Sequence, residues 1–146
     1  MALTSTGSAH WEGDLMSGKG TASLETSGTA GPLDVTWKAR TEDHGGLTSP
    51  EELIAAAHAA CFSMALSHGL AQAGTPATSL DATATATFGQ VDGEWRIVSM
   101  ALDVVGAVPG LDEDGFATAA EEARDGCPVS NALKGNVEIT VTARLG

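Results

Sequence analysis

The chain has 146 residues, 42% hydrophobic and 18% charged, which suits one folded domain with its own core and excludes a disordered chain. Its 7 basic side chains face 19 acidic ones, a net charge of −12, so it lacks the concentrated basic footprint that nucleic acid or an anionic membrane surface requires. With three Trp, three Phe and no Tyr, most of the core must come from Ala, Val and Leu.

The opening stretch MALTSTGSAHWEGD has no basic segment followed by an apolar core, so it does not read as a signal peptide. Strands are predicted for SAHWEGDL, GKGTASLET and LDVTWKAR, with a polar loop over 41–49. A helix follows at once. Ser49 fits its N-cap, Pro50 its first position, and Glu52 completes a capping box, while Glu51 and Glu52 suit the positive end of the helix dipole. The helix should run to about Ala73 and stop at Gly74, with Pro76 beyond. From Leu53 to Leu66 its only polar side chains are His58 and Ser63. A helix apolar nearly all round is buried. Here that predicts a sheet on one side and a second copy of the chain on the other, hence a homodimer. The two histidines, the serines and the acidic start argue against a membrane span.

Residues 78–88 alternate, with Leu80, Ala82, Ala84, Ala86 and Phe88 on one face of a strand. The Asp-Gly of VDGE predicts a hairpin, and the returning strand changes phase near Ser99, which predicts a bulge. A second helix is expected over about 112–125, its apolar stripe formed by Phe116, Ala119, Ala120 and Ala123. Cys127, Pro128 and Val129 open a short helical turn, and NVEITVTARL is the last strand. Helices segregated from antiparallel strands define an α+β class. No repeat or linker divides the chain, so residues 1–146 are expected to form a single domain.

Only two cysteines are present, Cys61 inside the long helix and Cys127 before Pro128. Taken alone, Cys61 is read first as a small buried hydrophobe. In the cytoplasm, the expected compartment, two lone cysteines point to catalysis, redox sensing or plain burial rather than a structural staple. Cys127 sits where backbone N–H groups of a helical turn are unsatisfied, a setting that lowers a thiol pKa. A metal site would draw on His58, Cys61, His68, Cys127, His10 and His44, but their spacing matches no structural zinc motif. His58 is read more simply as a core histidine with a hydrogen bond. No metal and no cofactor are expected.

The segments LTSPEELIAAAHAACFSMALS and GCPVSNALKGNVEITV, together with AHWEGDLMSGKG, resemble the signature segments of the OsmC/Ohr family over nearly the whole chain. His58, where the organic-hydroperoxide-resistance branch tends to carry tyrosine, favours the OsmC branch. The resemblance implies an OsmC-like fold with antiparallel sheets, a long buried central helix and an intertwined homodimer whose active sites lie at the subunit interface. It also implies a thiol-dependent peroxidase of bacterial stress defence that reduces organic hydroperoxides, and hydrogen peroxide less well. By match to the family motif, Cys61 is the peroxidatic cysteine, Cys127 the resolving one, Glu51 the catalytic glutamate and Arg40 the catalytic arginine. An external dithiol, in related members a lipoyl-bearing protein, would reopen the Cys61–Cys127 disulfide. The competing reading is a non-enzymatic redox sensor or stress-induced structural dimer.

The physical requirement is a conflict. Attack on a peroxide needs a thiolate, but apolar burial raises a thiol above its ordinary pKa of about 8.5. A cation is therefore needed, and Arg40 is the natural source. Glu51 lies ten residues before Cys61, about 15 Å away along the helix, so it cannot touch that sulfur. It would instead hold the Arg40 guanidinium, within one subunit or across the dimer, or act only as a helix-start carboxylate.

Overall fold

The structure is a computed structural model describing residues 1–146, and the chain divides into two compact units, Met1–Pro50 and Glu51–Gly146. The first unit holds a three-stranded antiparallel sheet of β1 (Gly7–Glu12), β2 (Lys19–Leu24) and β3 (Leu33–Val35), in that spatial order. The third predicted strand is cut short. After Val35 the chain turns into a helix, α1 (Trp37–Thr41), because the Thr36 hydroxyl caps it by accepting from the Ala39 N–H at 3.1 Å. That side-chain bond outweighs the strand preference of the preceding residues.

The second unit is built on α2 (Pro50–Gln72), which starts at the expected proline. It ends in a Schellman motif. Gly74 takes φ +82°, its N–H donates to the Ala71 carbonyl at 3.1 Å, and the Thr75 N–H donates to the Leu70 carbonyl at 2.9 Å. Only one stripe of α2 is buried: Glu51, Ala55, His58, Phe62, Leu66 and Leu70. Ala56, Ala57, Ala60 and Met64 are exposed, Met64 at 69%. Burial all round the helix is therefore not achieved within one chain, because one chain offers α2 a single packing surface. By length and hydropathy alone α2 is also long and apolar enough to cross a membrane.

Strand β4 (Ser79–Val91) pairs antiparallel with β5 (Glu94–Ala107) through a two-residue turn in which Asp92 and Gly93 both have positive φ, 52° and 81°. That is the turn whose twist matches the flanking strands. The predicted bulge is present: Thr87 faces Ser99 while Phe88 faces Ile97, leaving Val98 as the extra residue. Helix α3 (Glu113–Gly126) is capped by Asp112, whose carboxylate accepts from the Gly115 N–H at 2.8 Å. The short α4 (Pro128–Leu133) follows, with Cys127 at its N-cap, and then β6 (Glu138–Leu145).

One feature departs from the expected antiparallel arrangement: β6 runs parallel to β5 at the edge of the second sheet, order β4-β5-β6. The connection explains it. The intervening α3 and α4 carry the chain back to the starting end of β5, which is the crossover that parallel pairing needs.

The core of this unit joins Phe62, Leu66 and Leu70 of α2, Leu102 and Val104 of β5, Phe116, Ala120 and Ala123 of α3, and Cys127. Phe116 is fully buried over Gly106, where any side chain would overlap its ring. Truncating such a phenylalanine to alanine costs about 3–5 kcal/mol. The same packing brings the middle of α2 against the start of α4.

Candidate active site

Cys61 and Cys127 are both free, and their thiols lie near enough for each to shift the other's ionisation. Two separate features of the sequence produce this. The stripe Phe62, Leu66, Leu70 seats α2 in the core, and this leaves the adjacent Cys61 half-buried at its edge. The Gly126–Cys127–Pro128 corner ends α3 and starts α4, and places Cys127 fully buried inside.

Their electrostatics differ. Burial pushes the Cys61 thiol up, and its S–H bond to Cys127 holds the proton further, outweighing the Val129 N–H that donates to it. Burial also opposes ionisation of Cys127, but four donors reverse the balance. These are the Cys61 S–H, the Ser130 N–H, the Ser130 hydroxyl and the Val129 N–H, and together they hold Cys127 below the ordinary thiol value. The sequence-based expectation for each position, raised in the apolar helix and lowered at the helical start, matches these directions.

Beneath the sulfurs lies a polar contact that spans the fold. The His58 Nε2 is 2.7 Å from the Ser130 Oγ, and both residues are buried. Burial holds His58 below its ordinary pKa. Its Nδ1 has no hydrogen-bond partner. The reading of His58 as a hydrogen-bonded core histidine holds. Ser130 was not legible as a site residue. No local pattern marked it: it stands at the third position of α4, and its hydroxyl meets His58 from a remote segment.

Cys61 lines a cavity of about 890 Å³. Met64, Ala65, Leu70, Leu111 and Ala119 give it an apolar wall, while His68, Asp114 and Glu122 add polar groups. Glu51 is buried in the first turn of α2. Arg40 belongs to the amino-terminal unit, in the last turn of α1, with its guanidinium 5.6 Å from the centre of the Trp37 ring. It edges a smaller cavity of about 310 Å³ there, with Trp11, Leu15 and Trp37. His10 and His44 are exposed in that same unit, and no three His, Cys, Asp or Glu side chains anywhere form a group able to hold a metal ion.

Two free thiols near one another, one on the wall of an apolar cavity and the other at a helix start, form the candidate site of an α+β scaffold. The chain belongs to the OsmC-like protein family, whose model matches residues 43–142. It is 47% identical over 145 residues to peroxiredoxin OsmC of Escherichia coli, covering 99% of each chain. It is 37% identical over 101 residues to the organic hydroperoxide resistance protein of Xanthomonas axonopodis pv. citri, covering 67% of this chain and 68% of that one. Among solved structures, organic hydroperoxide resistance protein OhrB of Bacillus subtilis superposes with a TM-score of 0.76 over 97% of this chain and 98% of that one. At 24% identity that likeness speaks for the fold.

Proposed function

We infer that this chain is a cysteine-based peroxidase that detoxifies organic hydroperoxides. The observation that carries the reading is the pair of free thiols near one another, with Cys61 alone opening onto the apolar cavity. Its relatives, named peroxiredoxin OsmC and organic hydroperoxide resistance protein, support it.

Cys61, as a thiolate, attacks the terminal oxygen of the hydroperoxide. The O–O bond breaks, the alkoxide leaves and takes a proton to become an alcohol, and the sulfur is oxidised to a sulfenic acid. The Cys127 sulfur then attacks the Cys61 sulfur. A disulfide forms, and the sulfenic hydroxyl leaves as water with the Cys127 proton. A dithiol reductant reopens the bond by thiol exchange, itself becoming a disulfide. A lipoyl-bearing protein is the proposed donor. The apolar cavity wall favours hydroperoxides with bulky or lipid-like groups over hydrogen peroxide.

Because its surroundings in the chain raise Cys61, the reaction needs a cation. Arg40 is proposed to supply it and to orient the peroxide, and Glu51 to hold the guanidinium, within one subunit or across a dimer. The exposed apolar face of α2, with Ala56, Ala57, Ala60 and Met64, supports a homodimer. Residues 1–146 are read as one OsmC-like domain, the family match crossing from the first compact unit into the second. The proposed compartment is the bacterial cytoplasm.

A steady-state assay with an aryl or fatty-acid hydroperoxide and a lipoyl dithiol tests the function. Consumption of many equivalents per chain supports the enzyme. Consumption of about one equivalent, followed by a stop with reductant still present, would instead mark a redox sensor.

A further inference from the structure

We propose that Asp114 and Glu122 give the cavity at Cys61 a charge selectivity, admitting neutral and cationic reagents over anionic ones of the same skeleton. Among substrates this favours hydroperoxides whose carboxyl group is absent or esterified over free acids. That the natural reagents are hydroperoxides rests on the peroxidase reading above. The selectivity of access rests on the cavity wall alone.

Two helices build that wall. On α2, Cys61 and His68 are two turns apart and so share a face. On α3, Asp114, Thr118 and Glu122 recur every fourth residue and form one row along the same space. The wall is otherwise mainly apolar. No Lys or Arg lines the cavity, and His68 is its one group able to become cationic. A reagent on its way to Cys61 therefore meets two carboxylates with no fixed positive charge to offset them.

The other acidic groups around α3 have structural uses. Asp112 caps the helix, Glu113 accepts the Leu145 N–H, and Asp125 pairs with Arg124 at 3.0 Å. Neither Asp114 nor Glu122 is in an ion pair. Asp114 also suits the positive end of α3, as any first-turn carboxylate does. Glu122 has no such role, and no Lys or Arg lies three or four residues from it to form a pair along the helix.

Both side chains are exposed, so their field is open to screening by salt. A cavity of about 890 Å³ is on the order of 12 Å wide if round, against a Debye length of about 30 Å at 0.01 M salt and about 3 Å at 1 M. The selectivity is thus expected at low salt and should fade at high salt, which a change in cavity shape would not do.

The test uses iodoacetamide and iodoacetate, close in size and differing in charge, on the whole chain in a Cys127→Ser background. Cys61 is then the sole thiol. Its sulfur bonds to the reagent carbon as iodide leaves with the bonding pair, so no peroxide is needed. Rates are compared at pH 8, and again with His68→Gln, which removes the one group able to turn cationic. Asp114→Asn with Glu122→Gln, both exposed and isosteric, should lower the amide-to-acid rate ratio about three- to tenfold at 0.01 M salt and leave it nearly unchanged at 1 M. Any cation near Cys61 is common to parent and variant, so the change in ratio belongs to the two carboxylates. A ratio that the double substitution leaves unchanged at low salt, or a change that persists at high salt, would overturn the proposal.

The substrate arm compares the free acid and methyl ester of one fatty-acid hydroperoxide, below their micelle concentrations, in chains that retain Cys127. The ester-to-acid ratio of kcat/KM should fall in the double variant as the alkylation ratio does, and two esters and acids consumed at a ratio indifferent to the substitutions would overturn it. A shifted alkylation ratio with neither hydroperoxide consumed would uphold the selectivity of access and reject the peroxidase reading instead.

Discussion

Cys61 stands in the middle of α2, where the backbone N–H groups around it are committed to carbonyls one turn earlier. Cys127 stands at the N-cap of α4, where the first N–H groups have no intrahelical acceptor, and those of Val129 and Ser130 favour its thiolate without closing a cap hydrogen bond. The two thiols neighbour each other at one apolar core, and yet are driven in opposite directions, Cys61 up and Cys127 down. Burial raises Cys61, whereas at Cys127 the neighbouring Cys61 thiol and then the groups at the start of α4 overcome burial, so the fully buried sulfur is the one more readily ionised. A thiol on the interior of a helix must import its positive charge, whereas a thiol at a helix start finds donors built into the backbone. The contrast also divides access from stabilisation. Cys61 reaches the cavity where a substrate can arrive, and Cys127 does not line it.

The sharpest way to break this comparison is to remove each sulfur in turn. Cys61→Ser should abolish the first turnover, lowering the single-turnover rate roughly a thousandfold or more, measured by rapid-mixing consumption of hydroperoxide. An equal loss in Cys127→Ser at that same step would mean that the inner sulfur, not the outer one, meets the peroxide. The expected result for Cys127→Ser is instead a normal first oxidation followed by failure to close the disulfide. Steady-state turnover with a protein dithiol should fall by about a hundredfold, and mass spectrometry should show sulfinic acid on Cys61.

A milder change asks where Cys61 obtains its charge. Arg40→Met should slow the first oxidation at neutral pH by about ten- to a hundredfold and move the rate profile toward higher pH. Arg40→Lys should recover only part, since an ammonium lacks the planar set of donors. A rate profile that stays in place for Arg40→Met would show that Cys61 is ionised by something else.

The smallest effect concerns the histidine behind Cys127. Burial holds folded His58 below its ordinary value of about 6.5, so as pH falls through that value the unfolded chain takes up a proton that the folded chain refuses. Its contribution to stability is therefore complete above about pH 6.5. Below that it declines by up to about 1.4 kcal/mol per pH unit, until the lower folded pKa is reached. Urea unfolding of the parent and of His58→Leu at neutral and mildly acidic pH should show a steeper decline in the parent. Parallel declines would mean that His58 is charged when folded.

Much of this was legible from local chemistry. The Ser-Pro-Glu-Glu start and Gly74 stop of α2, the Asp92-Gly93 turn and the phase change opposite Thr87 all depend on residues within a few positions of one another. The pattern therefore carries its own physics. The opposite tendencies of the two thiols were likewise readable, because helix interior and helix start are local environments. Where local signals competed, the reading failed: Trp37–Thr41 has strand-like neighbours, but the Thr36 hydroxyl decided for a helix.

By itself, then, the sequence determined the α+β class, nearly all of the elements, the two candidate thiols and the family in which that pattern occurs. Only the tertiary structure decided that β6 joins β5 in parallel, that α2 buries one stripe within the chain, and that His58 meets Ser130. The reason is distance along the chain. Each of these depends on residues brought together from remote segments by the packing of Phe62, Leu66 and Phe116, and no local pattern records which remote partner a buried polar side chain will meet.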